Sequence, residues 1–100
     1  MFGFIKKLFG GNSEEIKALV ENGAVIIDVR TPSEFKSGHA SKAVNIPLDT
    51  LNSNINKIKG YKKPIVLCCA SGMRSSRAKG LLINQGLQDV HDAGAWVNLR

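Results

Sequence analysis

The amino-acid sequence predicts an α/β domain built on a parallel sheet with helices on both faces. Short apolar runs of strand length alternate with segments of helical periodicity, and the helix–strand pair occurs four times along the chain. The runs at 24–29 and 64–69 are almost continuously apolar, which is typical of strands buried on both faces. With 100 residues, the chain has room for one such domain.

The first half of the chain predicts two helix–strand pairs. Asn12 or Ser13 can cap a helix, and a strand is expected over residues 24–29. Residues 31–34, Thr-Pro-Ser-Glu, have the form of a capping box with proline at the first helical position. This pattern predicts a short helix that ends at Gly38, and a second short strand should follow over 43–46.

The second half predicts two more pairs. Apolar residues recur at helical spacing over 50–59, and the strand over 64–69 follows. A helix is expected from Ser75 to Gln85, and Val90 should lie at the centre of a short last strand.

Residues 1–11 differ in composition from residues 12–100, which we assign to the domain. Five apolar side chains of the first segment fall on one side of a helical wheel, and Lys6 and Lys7 fall on the other. This amphipathic segment either packs on the domain or frays, or it touches a membrane surface. We favour the first alternative, because two lysines and three helical turns give weak membrane binding.

The chain is basic, with 14 Lys and Arg against 8 Asp and Glu. Its six aromatic residues do not interleave with the basic ones, since Phe2, Phe4 and Phe9 lie in the first nine positions. We therefore expect no nucleic-acid partner, although a positive field attracts small anions. The adjacent Cys68 and Cys69 cannot form an ordinary bridge, which favours a reducing, cytoplasmic location. As a separate expectation, the protein is a monomer.

The segment that suggests chemistry runs from Ile65 to Arg77. A hydrophobic strand brings a cysteine to its carboxyl end, and a loop of small residues leads into a helix. Backbone N–H groups at such a helix N-terminus form an anion cradle, and a cysteine at its rim loses its proton more easily. Arg74 and Arg77 can add positive charge there. Two adjacent cysteines with the scattered His39 and His91 lack zinc-site spacing, so we expect no metal or other cofactor.

Either cysteine can be counted as the nucleophile. From Cys68 the pattern is Cys-x5-Arg-Ser, the length of cysteine phosphatase loops; from Cys69 it is one residue shorter. Glycine often lies three positions after the nucleophile in loops of either length, and only Cys69 places Gly72 there. We therefore favour Cys69. Cys68 is then a core residue or, less favoured, a resolving thiol, because strand alternation points neighbouring side chains to opposite faces.

Taken together, these motifs resemble a single-domain rhodanese from Ser13 onward. The loop Cys69-Ala-Ser-Gly-Met-Arg-Ser75 is similar to the family's active-site loop. The N-terminal family signature is matched by Asp28-Val-Arg30, Glu34-Phe35, Gly38-His39 and Ala43-Val-Asn-Ile-Pro47, and its C-terminal one by Gly94-Ala-Trp96. The sequence departs from common family residues at Ala40, Lys42, Ala95 and Leu99, which puts substrate preference in doubt.

The resemblance implies a rhodanese-like α/β fold with about five parallel strands. It implies that Cys69 accepts sulfane sulfur from an anionic donor such as thiosulfate and passes it to cyanide, a thiol or a protein acceptor. The substrate-binding residues implied by it are those of the loop: Ala70, Ser71, Gly72, Met73, Arg74 and Ser75. Their backbone N–H groups would cradle the persulfide.

Two other functions stay open at the level of sequence. One is a cysteine phosphatase or arsenate reductase of related fold, which the shorter loop disfavours. The other is a non-catalytic rhodanese-like binding module, which the presence of Cys69, Gly72 and Arg74 disfavours. Four polar residues near the first strand, Asp28, Arg30, Glu34 and His39, either orient the active site or form a polar network that ties the strand end to the short helix. We favour the structural network.

Overall fold

The computed structural model describes residues 13–100, and the predicted α/β architecture with a parallel sheet is confirmed. All strand pairs are parallel, and the strand order is β2-β1-β3-β4. The strands are β1 (Val25–Asp28), β2 (Val44–Asn45), β3 (Ile65–Cys69) and β4 (Val90–Ala95). The predicted amphipathic segment, residues 1–11, lies outside the described residues.

The described residues form four strands, whereas the family resemblance implied about five. The sequence itself contains only four strand-like runs, and the other segments from 13 to 100 are helical or irregular. β2 is also shorter than the predicted 43–46, because Pro47 cannot donate a hydrogen bond to the sheet. β4 extends beyond Val90 to Ala95, so the last strand is longer than expected.

Helices cover both faces of the sheet. They are α1 (Ser13–Glu21), α2 (Pro32–Lys36), α3 (Ile55–Gly60), α4 (Met73–Asn84) and two 3-10 helices, Leu48–Asn54 and Trp96–Leu99. The predicted helix over 50–59 is therefore a 3-10 helix followed by α3. α4 begins two residues before the predicted Ser75, because Gly72 adopts the left-handed φ of 105° that turns the chain into the helix. No helix between residues 13 and 100 is long and apolar enough to cross a membrane.

Two hydrophobic cores lie on opposite faces of the sheet. Ile65, Leu67 and Cys69 of β3 pack in the larger core, with residues of α3 and α4. Val66 and Cys68 pack in the smaller core, with Ile16 of α1. The alternation of β3 thus separates the two adjacent thiols, as the strand period predicts.

Candidate active site

The candidate site lies at the carboxyl edge of the sheet. Cys69 is the last residue of β3, three loop residues follow, and α4 begins at Met73. Parallel α/β sheets bind their ligands at this edge. The seven sequence-predicted site residues are therefore consecutive in one strand–loop–helix unit, and Met73, which is 81% exposed, lies at its outer surface.

The Cys69 sulfur is surrounded by hydrogen-bonding groups of this unit. The backbone N–H groups of Gly72 and Ser75 donate to Sγ at 3.0 Å and 3.3 Å. The thiol also lies 3.5 Å from the Ser75 hydroxyl, and this hydroxyl donates to the Gly72 carbonyl at 3.2 Å. Gly72 and Ser75 precede or belong to the first turn of α4, whose N–H groups have no partner within the helix. They are therefore free to stabilise negative charge on sulfur.

These contacts favour the thiolate. Burial alone raises the pKa of Cys69, because an apolar environment penalises charge. The hydrogen bond between Cys69 and the Ser75 side chain, together with those from the backbone of Ser75, Gly72 and Ser71, outweighs burial, so the pKa is lowered overall. A thiolate is the nucleophilic form of cysteine, and the hydrogen bonds around Sγ favour this form.

The sulfur lies beneath the loop rather than at the rim that the sequence suggested. Cys69 is 0% exposed, although Ala70 and Ser71 directly after it are exposed. The difference arises because Gly72 turns the chain back, so that its N–H group points down at Sγ.

The carboxyl end of β4 lies beside the loop. A β-bulge lies in β4 where the pairing with β3 shifts between Leu67 and Cys68, and the Gly94 N–H donates to Asp92 Oδ1 at 2.9 Å. The bulge brings Gly94 close to the loop: a Cβ added at Gly72 would lie 3.6 Å from the Gly94 Cα. A bulge next to a candidate site redirects the chain locally, and here it packs backbone against backbone.

Arg74 is paired with Glu34 of α2. Its two terminal nitrogens donate to the two carboxylate oxygens at 2.7 Å and 3.0 Å, and both side chains are about one-third exposed. The hydrogen bonds from Arg74, followed by those from Thr31, lower the pKa of Glu34 to about 2. Arg74 thus brings a positive charge to the loop, as the sequence suggested, but Glu34 balances it. Sequence reasoning missed this pair.

The favoured polar network forms only in part, because Glu34 pairs with Arg74 and Asp28 pairs with Arg30. Asp28 is 0% and Arg30 4% exposed, and the Arg30 guanidinium donates to both carboxylate oxygens at 2.8–3.1 Å. Arg30 also donates to the Gly38 carbonyl at 2.7 Å and lies 4.8 Å from the centre of the Trp96 ring. His39 stacks on Phe35 instead. These contacts tie the end of β1 to α2 and to the last 3-10 helix.

Cys68 has the surroundings of a core residue. Its side chain is 0% exposed in the smaller core. Burial, with a smaller contribution from the charge of Asp28, raises the pKa of Cys68 to about 12. Cys68 and Cys69 therefore lie on opposite faces of the sheet, in different cores.

Among residues 13–100, no group of three or more His, Cys, Asp and Glu side chains could hold a metal ion.

A family model named rhodanese-like domain matches residues 12–94. The chain belongs to the rhodanese-like domain family. A thiosulfate sulfurtransferase GlpE from Pseudomonas syringae pv. syringae is 36% identical over 86% of this chain and 80% of its own length. Family membership and this relative support a transferase of the sulfurtransferase class.

Solved rhodanese structures share the fold. A structure of E. coli rhodanese with anions matches with a TM-score of 0.70 and 30% identity, over 76% of this chain and 91% of that one. The crystal structure of reduced Bacillus anthracis CoADR-RHD matches with a TM-score of 0.77 and 34% identity over 90% of this rhodanese-like chain, which spans 16% of that protein.

Proposed function

We propose that this protein transfers sulfane sulfur from a donor such as thiosulfate to a thiol or cyanide acceptor, with Cys69 as the sulfur carrier. The observation that carries the proposal is the position of Cys69 Sγ at the N-terminus of α4, where the N–H groups of Gly72 and Ser75 bond to it. The similarity to a thiosulfate sulfurtransferase supports the same reaction class. Residues 12–100 would be the catalytic domain, acting as a monomer in the cytoplasm.

In the first step the Cys69 thiolate attacks the outer sulfur of thiosulfate. A sulfur–sulfur bond forms between Sγ and the outer sulfur, and the bond between that sulfur and the sulfonyl group breaks. Sulfite leaves with the bonding electron pair, and the enzyme keeps a persulfide anion. The two charges of thiosulfate and the one charge of the thiolate are conserved, so no proton or electron is required from elsewhere.

The persulfide anion needs hydrogen-bond donors beyond those that hold the thiolate. Its outer sulfur lies about 2 Å further from the strand, within the loop that now covers Cys69. In this proposal the backbone N–H groups of the loop and the first turn of α4 surround the outer sulfur and stabilise its charge. These groups belong to Ala70, Ser71, Gly72, Met73, Arg74 and Ser75. An acceptor nucleophile then attacks the outer sulfur and regenerates the thiolate.

The test is the intact mass of the reduced protein before and after incubation with thiosulfate. We expect wild type to gain the mass of one sulfur atom and to lose it on addition of cyanide. Cys69→Ser should gain nothing, and the matched Cys68→Ser variant should behave as wild type, because its sulfur faces the other core.

Other outcomes would redirect the assignment. A gain that persists in Cys69→Ser and disappears in Cys68→Ser would show that Cys68 carries the sulfur. Absence of any gain, together with hydrolysis of an aryl phosphate, would favour the phosphatase alternative. Absence of both activities would favour a binding module.

A further inference from the structure

We propose that Glu34 is a positioning residue for the Cys69 site: through its two hydrogen bonds to Arg74, it holds the first turn of α4 where the Gly72 and Ser75 N–H groups point at the sulfur. The inference concerns the cradle itself, and it rests on the proposed function only for its consequence in sulfur transfer. The side-chain hydrogen bonds of Glu34 go to Thr31 and Arg74, so its action on the sulfur would be indirect.

The first argument is the geometry of the link. Arg74 is adjacent to Ser75, whose N–H group and hydroxyl both lie within 3.5 Å of Cys69 Sγ. The Glu34 carboxylate accepts from both terminal nitrogens of Arg74, and such a two-point contact fixes the orientation of the guanidinium as well as its position. Movement of Arg74 is thus coupled to movement of the donors that bond to the sulfur.

The second argument is that Glu34 is itself held in place. It is the third residue of α2, and it completes the capping box: its Oε1 accepts from the Thr31 N–H at 3.0 Å, and its own N–H donates to the Thr31 hydroxyl at 3.3 Å. The next turn is tied to the buried ion pair, because Arg30 donates to the Gly38 carbonyl at 2.7 Å. The carboxylate is therefore a fixed support, whereas a flexible surface glutamate would not be.

The third argument is that the side chains of the loop and of the first turn of α4 form few hydrogen bonds to other elements. The Ser75 hydroxyl bonds only within the unit, to the Gly72 carbonyl and Cys69. Among the described side chains from residue 70 to residue 75, Arg74 alone forms a hydrogen bond outside the unit of β3 and α4. This bond spans 40 residues of sequence and joins the connection after β1 to the connection after β3.

A positioning role and a purely electrostatic role of Glu34 predict opposite changes in the pKa of Cys69 when the Glu34 charge is removed. If Glu34 acted only as a nearby charge, Glu34→Gln would leave Arg74 unbalanced, and the extra positive charge would lower the pKa of Cys69. If Glu34 positions the cradle, the same substitution weakens the hydrogen bonds to the thiolate and raises the pKa. The sign of the change therefore distinguishes the two.

The experiment titrates the Cys69 thiolate by its ultraviolet absorbance, in a Cys68→Ala background and with purified full-length protein. The variants are Glu34→Gln and Arg74→Lys, which keeps the charge but lacks the two-point contact. Glu21→Gln is the matched control, because it removes an exposed carboxylate at the far end of α1. Rates of alkylation at neutral pH are measured alongside, with melting temperatures.

We expect the pKa of Cys69 to rise in both Glu34→Gln and Arg74→Lys and to stay constant in Glu21→Gln. Loss of the equivalent of one ordinary hydrogen bond lowers the acid ionisation constant of Cys69 by about fivefold, and alkylation slows as the thiolate fraction falls. A lower pKa in Glu34→Gln would overturn the proposal in favour of electrostatics. An unchanged pKa with a lower melting temperature would overturn it in favour of a merely structural pair.

Neither readout needs sulfur transfer. If wild type forms no persulfide yet both variants raise the pKa, the proposed function fails and the positioning role stands. If wild type forms the persulfide and the pKa of the variants does not rise, the positioning role fails alone.

Discussion

The buried ion pair of Asp28 and Arg30 offers a quantitative test of what stabilises the carboxyl edge of the sheet. The Arg30 side chain makes three hydrogen bonds to the Asp28 carboxylate, and the Arg30 backbone N–H makes a fourth at 3.0 Å. Arg30→Met keeps an apolar chain that can lie against Trp96 but removes the guanidinium. Asp28, which has no exposed surface, then retains the backbone bond alone.

The expected loss in free energy of unfolding follows from the single hydrogen bond that the Asp28 carboxylate retains. A buried carboxylate that has lost its charged partner destabilises a protein by about 3–5 kcal/mol. A domain of this size has a free energy of unfolding of about 5–15 kcal/mol, so the single substitution removes a large part of it. The lost bond to the Gly38 carbonyl adds to the effect, because it also loosens the turn after α2.

Urea unfolding is monitored by circular dichroism, and the free energies of unfolding are compared between proteins whose free energies depend on urea concentration with similar slopes. Asp28→Asn in the Arg30→Met background is the informative second variant, because it removes the uncompensated charge while conserving shape. It should recover at least about 1 kcal/mol relative to Arg30→Met. A loss below about 1 kcal/mol in Arg30→Met, or a double variant no more stable than the single one, would refute the reasoning.

Two further predictions concern the loop and the second thiol. Gly72→Ala forces alanine into a φ of 105°, which should lower the free energy of unfolding by about 1–2 kcal/mol and slow the alkylation of Cys69. Gly80→Ala, in the open middle of α4, should instead raise the free energy of unfolding by about 0.5–1 kcal/mol. Equal effects on stability from the two substitutions would contradict this. Burial raises the pKa of Cys68 to about 12, so its neutral form stabilises the fold below pH 9. As the pH rises from 9 to 12, the free energy of unfolding of wild type should fall by about 1.4 kcal/mol per pH unit relative to that of Cys68→Ala. Parallel stability curves for these two proteins in alkaline urea titrations would count against it.

Local patterns predicted most of the elements because their causes are local. The capping box over residues 31–34 is confirmed with both of its hydrogen bonds. The alternation of apolar residues in β3 correctly placed Cys68 and Cys69 in different cores. The buried Asp28–Arg30 pair was predictable for the same reason, since its partners are two residues apart.

The features that the sequence did not predict depend on contacts between distant segments. The Arg74–Glu34 pair joins residues 40 positions apart, and neither periodicity nor charge pattern indicates that their helices meet. The β-bulge in β4 arises from its pairing with β3 and has no pattern of its own. The burial of Cys69 depends on how far the loop folds back at Gly72, which is a matter of three-dimensional geometry. These features determine the geometry of the N–H groups around the sulfur, whereas the sequence motif indicated only where those groups lie along the chain.

The separation of the two thiols by β3 has a consequence for the length of the loop. Cys68 pairs with Asp28 of β1, and this register fixes which cysteine is the last residue to face the larger core. A slip by one residue would move every side chain of β3 to the other face and place Cys68 where Cys69 now lies. The loop to Arg74 would then have the longer, phosphatase-type count. The chain thus encodes both loop lengths, and strand pairing on either side of β3 selects the shorter one.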